Sequence, residues 1–200
     1  MNNIYLVGFM GTGKTSVGKE LAKKKKWQFV DLDELIELRE RMTISDIFVK
    51  KGEPYFRKIE KQALREISRE KKFVVACGGG IVTDPENIRI MKESGKMITL
   101  SATPQVILQR TYGSYHRPLL NVKDPKKQIE LLLKLRSPYY LQADKTIDTT
   151  KLSIQGVVEK IVKIMLKSQS EAKPPRRGQS HPSTWLRASK DTSQKSQSRK

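Results

Sequence analysis

Residues Gly8-Phe-Met-Gly-Thr-Gly13-Lys14-Thr15 fit the pattern G-x-x-x-x-G-K-[ST]. They stand in the setting that gives the pattern meaning, after a strand and before a helix. Residues 3–7, NIYLV, read as a buried strand, and residues 14–25 read as a helix. A strand that turns through a glycine-rich loop into a helix aims several backbone N–H groups and the positive end of the helix dipole at one point, which suits the phosphates of a nucleoside triphosphate. In this reading Gly8, Gly11, Thr12, Gly13 and Ser16 belong to the phosphate cradle. Lys14 reaches the β- and γ-phosphates and the Thr15 hydroxyl ligates Mg²⁺. The motif implies an α/β fold and a nucleoside triphosphate such as ATP, and leaves the acceptor open.

The rest of the chain continues the alternation of strand-like and helix-like segments expected of a parallel sheet with crossover helices. Strands are predicted over residues 28–31, 73–76, 97–100 and 145–147, and helices over 34–41, 43–50, 53–70 and 153–167. The helical pair 43–50 and 53–70 is joined near Gly52. Asp84-Pro85, Thr103-Pro104 and Asp124-Pro125 each place a capping residue before a proline, which marks a helix start. Residues 153–167 carry Val157, Val158, Ile161, Val162 and Met165 on one face.

Two hundred residues at 36% hydrophobic content provide one buried core, so one compact domain is expected over residues 1–167. No apolar run approaches the roughly 20 residues that span a bilayer, and the opening residues are too short and glycine-punctuated for a secretory leader, so no membrane association is expected and a cytoplasmic location is. The single cysteine, Cys77, reads as a buried structural thiol. The formal charge of +19 invites a nucleic-acid reading, but its distribution weakens it. Residues 168–200 hold +6 in a Ser-, Gln- and Pro-rich stretch with only Trp185 and Leu186 as bulky apolar neighbours, which reads as a disordered tail. The +13 left on residues 1–167 includes Lys23 to Lys26 at a helix end, a solvated surface.

The acceptor must be sought elsewhere. Asp31-Leu-Asp33 follows the second predicted strand, where alternation puts both carboxylates on one side, facing the crevice at the carboxyl end of the sheet. One can help hold hydrated Mg²⁺ and the other can accept a hydrogen bond from an attacking hydroxyl. Asp33 could equally be a helix-capping aspartate.

Taken together, Gly8 to Thr15, Asp31-Leu-Asp33, Gly52-Glu53 with Phe56-Arg57 and Glu60, Gly78-Gly79-Gly80, Arg117-Pro118-Leu119-Leu120, and Arg136 with Pro138-Tyr139-Tyr140 resemble the shikimate kinase family over residues 1–166. The resemblance implies a three-layer P-loop kinase fold, a five-stranded parallel sheet flanked by helices. A short helical substrate-binding insertion about residues 33–61 and a mobile lid about residues 112–124 go with it. It implies a monomer that uses Mg-ATP to phosphorylate the 3-hydroxyl of shikimate. By the same resemblance Arg57 and Arg136 grip the acceptor carboxylate, Asp33 binds ring hydroxyls and serves as the base, and Gly78, Gly79 and Gly80 let the backbone approach the ring. Asp31 joins Thr15 at the metal. Glu60 orients Arg57, Arg110 lies near the nucleotide, and the lid residue Arg117 stabilises the transferring charge, while its neighbour His116 has no catalytic part. The segment Ile147-Asp148-Thr149 resembles the adenine-side loop. Two other readings stay open: a related kinase with another hydroxy-acid or nucleotide acceptor, and an inert core whose basic tail binds nucleic acid. The full set Lys14, Asp33, Arg57, Arg117 and Arg136 weighs against the second.

Overall fold

The structure, a computed structural model, describes residues 2–112 and 122–170, the side chains of 167–170 excepted. Most of the expected lid, with Arg117, and the tail from residue 171 onward lie outside the described residues. Strands β1 (Asn3–Val7), β2 (Gln28–Asp31), β3 (Phe73–Ala76), β4 (Gly95–Ser101) and β5 (Lys145–Asp148) form one sheet in the order β2-β3-β1-β4-β5, with every pairing parallel. Helices α1 (Lys14–Lys25), α2 (Leu32–Glu40), α3 (Ile44–Arg69), α4 (Pro85–Ser94), α5 (Pro104–Thr111), α6 (Pro125–Tyr140) and α7 (Ile154–Ser170) complete it.

Strand alternation sorts the core into two layers. On β1, Tyr5 and Val7 join Val75, Met97 and residues of α2, α3 and α4 on one face. Ile4 and Leu6 join Val74, Ile98, Leu100 and Ile147 with α1 and α7 on the other. Because both faces are covered, the four β1 side chains from Ile4 to Val7 are all fully buried, as central parallel strands require. A third, small cluster of Phe9, Ile107 and Ile129 packs α5 and α6 beneath the loop after β1. The three-layer arrangement expected from the sequence is therefore present.

Local chemistry sets the helix ends. The side chains of Thr43, Asp84, Thr103 and Asp124 cap α3, α4, α5 and α6, and the last three precede Pro85, Pro104 and Pro125 at the first helical turn. The two helices expected on either side of Gly52 form one run, α3, kinked where Gly52 takes φ 81° and ψ 163°. Strand β4 is longer than the expected 97–100, and α7 continues to Ser170 beyond the expected 167.

One expectation changes. Asp31 and Asp33 do not both end a strand. β2 stops at Asp31, whose side chain accepts the Asp33 N–H at 3.1 Å and caps α2, so Asp33 sits in the first helical turn. The capping bond, with Leu32 driven into the core at 0% exposure, ends the extended conformation one residue early for a shared strand face. The capping aspartate is Asp31 rather than Asp33.

Sheet pairing also fixes the position of the loop after β1. A methyl group at Gly8, where φ is +135°, would collide with the Leu100 carbonyl oxygen of β4. Gly8→Ala is expected to lose stability through backbone strain of about 1–3 kcal/mol, with the clash adding to it. Thermal unfolding with and without ATP would show both a lower midpoint and a smaller shift by nucleotide.

Candidate active site

The loop after β1 leads into α1 at Gly13, an N-cap residue in the left-handed region. Thr12 steadies it, its hydroxyl donating to the Phe9 carbonyl at 2.8 Å. The Lys14 ammonium reaches the same carbonyl at 3.0 Å. From the far edge of the sheet, the Thr149 hydroxyl lies 3.2 Å from the Thr12 carbonyl oxygen. Arg110 donates to the Thr149 hydroxyl at 3.1 Å, to the Thr149 carbonyl at 3.0 Å and to the Gly11 carbonyl at 3.4 Å. Arg110 is exposed and stands beside the loop. Thr15 donates its hydroxyl proton to Asp31 Oδ2 at 2.7 Å, which joins the loop to the end of β2.

Across the cleft lies a second set of charges. Arg57 donates through Nη1 to Glu60 Oε2 at 2.6 Å and through Nε and Nη2 to Glu53 Oε1 at 3.1 and 3.0 Å. Glu60 is 0% exposed while the Arg57 side chain keeps 29% exposure, so the pair is part-buried and not the fully solvated ion pair that i,i+3 spacing alone would allow. Arg136, from α6, stands over the Phe9 ring at 5.9 Å.

The glycine run after β3 is where these groups meet. A methyl on Gly78 would lie 2.8 Å from both Asp33 Oδ1 and Glu60 Oε1. One on Gly79 would lie 3.3 Å from Arg136 Nη1, and one on Gly80 would lie 2.8 Å from Arg57 Nη1. Asp33, Glu60, Arg57 and Arg136 come from α2, α3 and α6, so only the tertiary fold brings them to one stretch of bare backbone.

A single cleft of about 1180 Å³ joins the two halves. Gly11, Thr12, Gly13, Lys14, Thr15, Ser16, Asp31, Asp33, Arg57, Gly78, Gly79, Gly80, Arg110 and Arg136 all line it. Gly8 stands behind the loop, with its Cα against β4, and Arg117 lies outside the described residues. The sequence gives Tyr140 no role, although it lies four residues from Arg136 on one helix. The structure adds it, since its hydroxyl donates to the Gly79 carbonyl at 2.7 Å.

Burial tunes the acids. Removal from water, and next the neighbouring Asp31 charge, pushes Asp33 up to about 6 against the pull of Lys14 and Arg57. Burial likewise pushes Glu60 up to about 7, against the charge and hydrogen bond of Arg57. Asp33 Oδ1 and Glu60 Oε1 are buried without a hydrogen-bond partner among the described residues, and both face Gly78. Cys77 is buried and its thiol is pushed well up, an inert structural residue as expected.

A P-loop at the centre of a parallel sheet, facing a pocket lined by two arginines and a buried carboxylate, defines a P-loop kinase fold. The family model for shikimate kinase matches residues 10–166. A shikimate kinase of Caldanaerobacter subterraneus subsp. tengcongensis is 46% identical over 167 residues, covering 84% of this chain and 98% of its own. That of Thermodesulfovibrio yellowstonii is 48% identical over 163 residues, covering 82% and 94%. Among solved structures, shikimate kinase from Acinetobacter baumannii in complex with shikimate superposes with a TM-score of 0.81 at 39% identity, covering 86% of this chain and 96% of its own. Shikimate kinase from Aquifex aeolicus gives a TM-score of 0.74 at 34% identity, covering 86% and 99%. The chain belongs to the shikimate kinase family.

The Glu60 shift has a consequence for stability. Its folded pKa, about 7, exceeds the ordinary 4.5, so the native state keeps a proton that the unfolded chain has released. That contribution is complete below 4.5 and is lost as pH rises through about 7. Glu60→Gln cannot titrate. Denaturant melts of the free protein across this range should show a steeper decline in stability with rising pH for the parent than for the variant.

Proposed function

We propose that this chain transfers the γ-phosphoryl group of ATP to the 3-hydroxyl of shikimate, giving shikimate 3-phosphate and ADP, in the chorismate route to aromatic amino acids. The observation that carries the acceptor assignment is the convergence of Asp33, Arg57 and Arg136 on the Gly78–Gly80 backbone. Shikimate is a small ring with one carboxylate and three hydroxyls. Two guanidiniums suit the carboxylate, since planar forks match its geometry where a lysine would offer only a point charge. Asp33 Oδ1, buried and unpartnered, suits a ring hydroxyl. Glycines at 78–80 leave room for the ring to lie against the backbone.

Both substrates are held together, so direct in-line transfer needs no covalent enzyme intermediate. Asp33 takes the proton from the attacking hydroxyl as its oxygen bonds to the γ-phosphorus and the bond to the bridging oxygen of ADP breaks. A carboxylate near 6 is ionised at neutral pH yet basic enough to help. Lys14 neutralises charge on the phosphates, and the loop N–H groups from Gly11 to Ser16 hold them. Arg110 flanks the nucleotide. We assign Arg117, by its motif, to the transferring phosphoryl group once the lid excludes water. The donor set fits Mg²⁺: the Thr15 hydroxyl and Asp31 carboxylate are hard oxygen ligands already in contact at 2.7 Å. Among the described residues no three His, Cys, Asp or Glu side chains form a cage, which suits an ion that completes its shell with phosphate and water. Bound there with ATP, it would offset phosphate charge. Among the described residues no helix is long and apolar enough to cross a membrane. We assign the reaction to the cytosol, where ATP is supplied.

ADP release coupled to a reporter enzyme, run with shikimate, quinate, gluconate and nucleoside monophosphates, tests the reading. Turnover dependent on shikimate is expected, and its absence refutes the assignment. Asp33→Asn should lower kcat by about 10²- to 10⁴-fold, the usual worth of a general base, while ATP binding is retained in titration calorimetry. In the parent, kcat/KM should rise with pH through about 6 as Asp33 ionises. Arg57→Ala should raise the KM for shikimate by roughly tenfold or more, as loss of a charged hydrogen bond predicts, with the KM for ATP little changed.

A further inference from the structure

A peptide with glycine on both sides has no Cβ to resist rotation of its plane, so a binding site built on such peptides needs external anchors. The three carbonyls of the Gly78–Gly80 run have them. That of Gly78 accepts the Ile81 N–H at 3.2 Å, and that of Gly80 accepts the Thr83 N–H at 3.1 Å and the Thr83 hydroxyl at 2.8 Å. These anchors are local, made by the 3-10 turn Ile81–Thr83. The Gly79 carbonyl is held from 61 residues away by the Tyr140 hydroxyl, at 2.7 Å. The N–H groups of Gly78, Gly79 and Gly80 donate to no protein acceptor among the described residues.

In a trans peptide the C=O and N–H point in opposite directions. Holding the Gly79 carbonyl toward Tyr140 therefore turns the Gly80 N–H the other way. The same peptide runs between Gly79, whose Cα faces Arg136, and Gly80, whose Cα faces Arg57. We propose that Tyr140 is a positioning residue for the acceptor: its hydroxyl locks the Gly79–Gly80 peptide so that the Gly80 N–H, turned away from Tyr140, is presented as a donor on the side of Arg57.

Tyr140 is built for a fixed position. It is 7% exposed, packs in the core cluster that holds Val75 and Met97, and its own carbonyl accepts the Thr99 hydroxyl of β4 at 2.8 Å. Arg136 lies one helical turn earlier on α6, so one helix end delivers both the carboxylate grip and the peptide lock. Burial pushes the phenol up to about 12, which keeps the hydroxyl a donor at any working pH.

The inference rests on the shikimate reading, and Tyr140→Phe, which removes the hydroxyl and keeps the ring, tests it. The KM for shikimate should rise about five- to tenfold, as loss of one neutral hydrogen bond predicts, with kcat and the KM for ATP largely unchanged. In ¹⁵N spectra of the free protein, the Gly80 amide signal should be single in the parent and broadened or split in the variant. Ile161→Val, a core truncation on the opposite face of the sheet, serves as the control for lost stability alone, expected to lower Tm without raising the KM for shikimate. An unchanged shikimate KM in Tyr140→Phe overturns the proposal, whatever happens to Tm. So does a proportional rise in the KM for ATP. Should the parent show no shikimate-dependent turnover, the acceptor assignment fails by itself. The Gly80 amide signal then decides the peptide lock separately: broadening on loss of the hydroxyl supports it, and an unaltered signal overturns it.

Discussion

Charge removed from water is costly unless opposite charge and hydrogen bonds offset it, and the acceptor half of this cleft is arranged around that constraint. Arg57 is held between Glu53 and the fully buried Glu60. Burial favours the neutral form of Glu60 and Arg57 favours the charged form, and the balance falls near 7. With the exposed Glu53, Glu60 holds the Arg57 guanidinium at the wall of the cleft. Asp33 faces the same point on Gly78 as Glu60 does, poised near 6 by the same loss of water. An acidic ligand with hydroxyl groups satisfies both ends of this arrangement.

The fold supplies the place where such charges can meet. Because β1 is central and β3 and β4 flank it, the loops after β1 and β3 rise side by side at the carboxyl end of the sheet. One loop cradles phosphate and the other offers bare glycine backbone. Helices α2 and α3 close one side of the cleft with Asp33 and Arg57, and the end of α6 closes another with Arg136 and Tyr140. Each is fixed by core packing a few residues away: Leu32 and Ile36 on α2, Phe56 and Ala63 on α3, Ile129 and Tyr140 on α6. The geometry of the cleft is therefore carried by elements anchored in the core, and single distant core changes can displace it.

The nucleotide side was legible in the sequence because its determinants are local. Gly8 to Thr15 specify a turn whose conformation depends mainly on those residues and the helix they open. The Arg57–Glu60 pair was legible for a similar reason, since i,i+3 spacing on a helix guarantees proximity. What spacing could not reveal was burial, which separates a surface ion pair from a desolvated one with a perturbed acid. Asp33 does line the cleft, but on a different element from the one its spacing suggests, because strand alternation and a capped helix start look alike over three residues. The capping bond from Asp31 decided between them.

The sequence by itself determined the phosphate loop, the succession of strands and helices, most helix starts and the family to which the chain belongs. These follow from interactions within a few residues and from a motif set that needs no coordinates. Only the tertiary structure decided that Asp33 and Glu60 turn unpartnered oxygens toward Gly78, and that a tyrosine 61 residues away holds the Gly79 carbonyl. Those relations depend on sheet order and on packing between elements remote in the chain, where close approach and loss of water, rather than sequence spacing, set the energies.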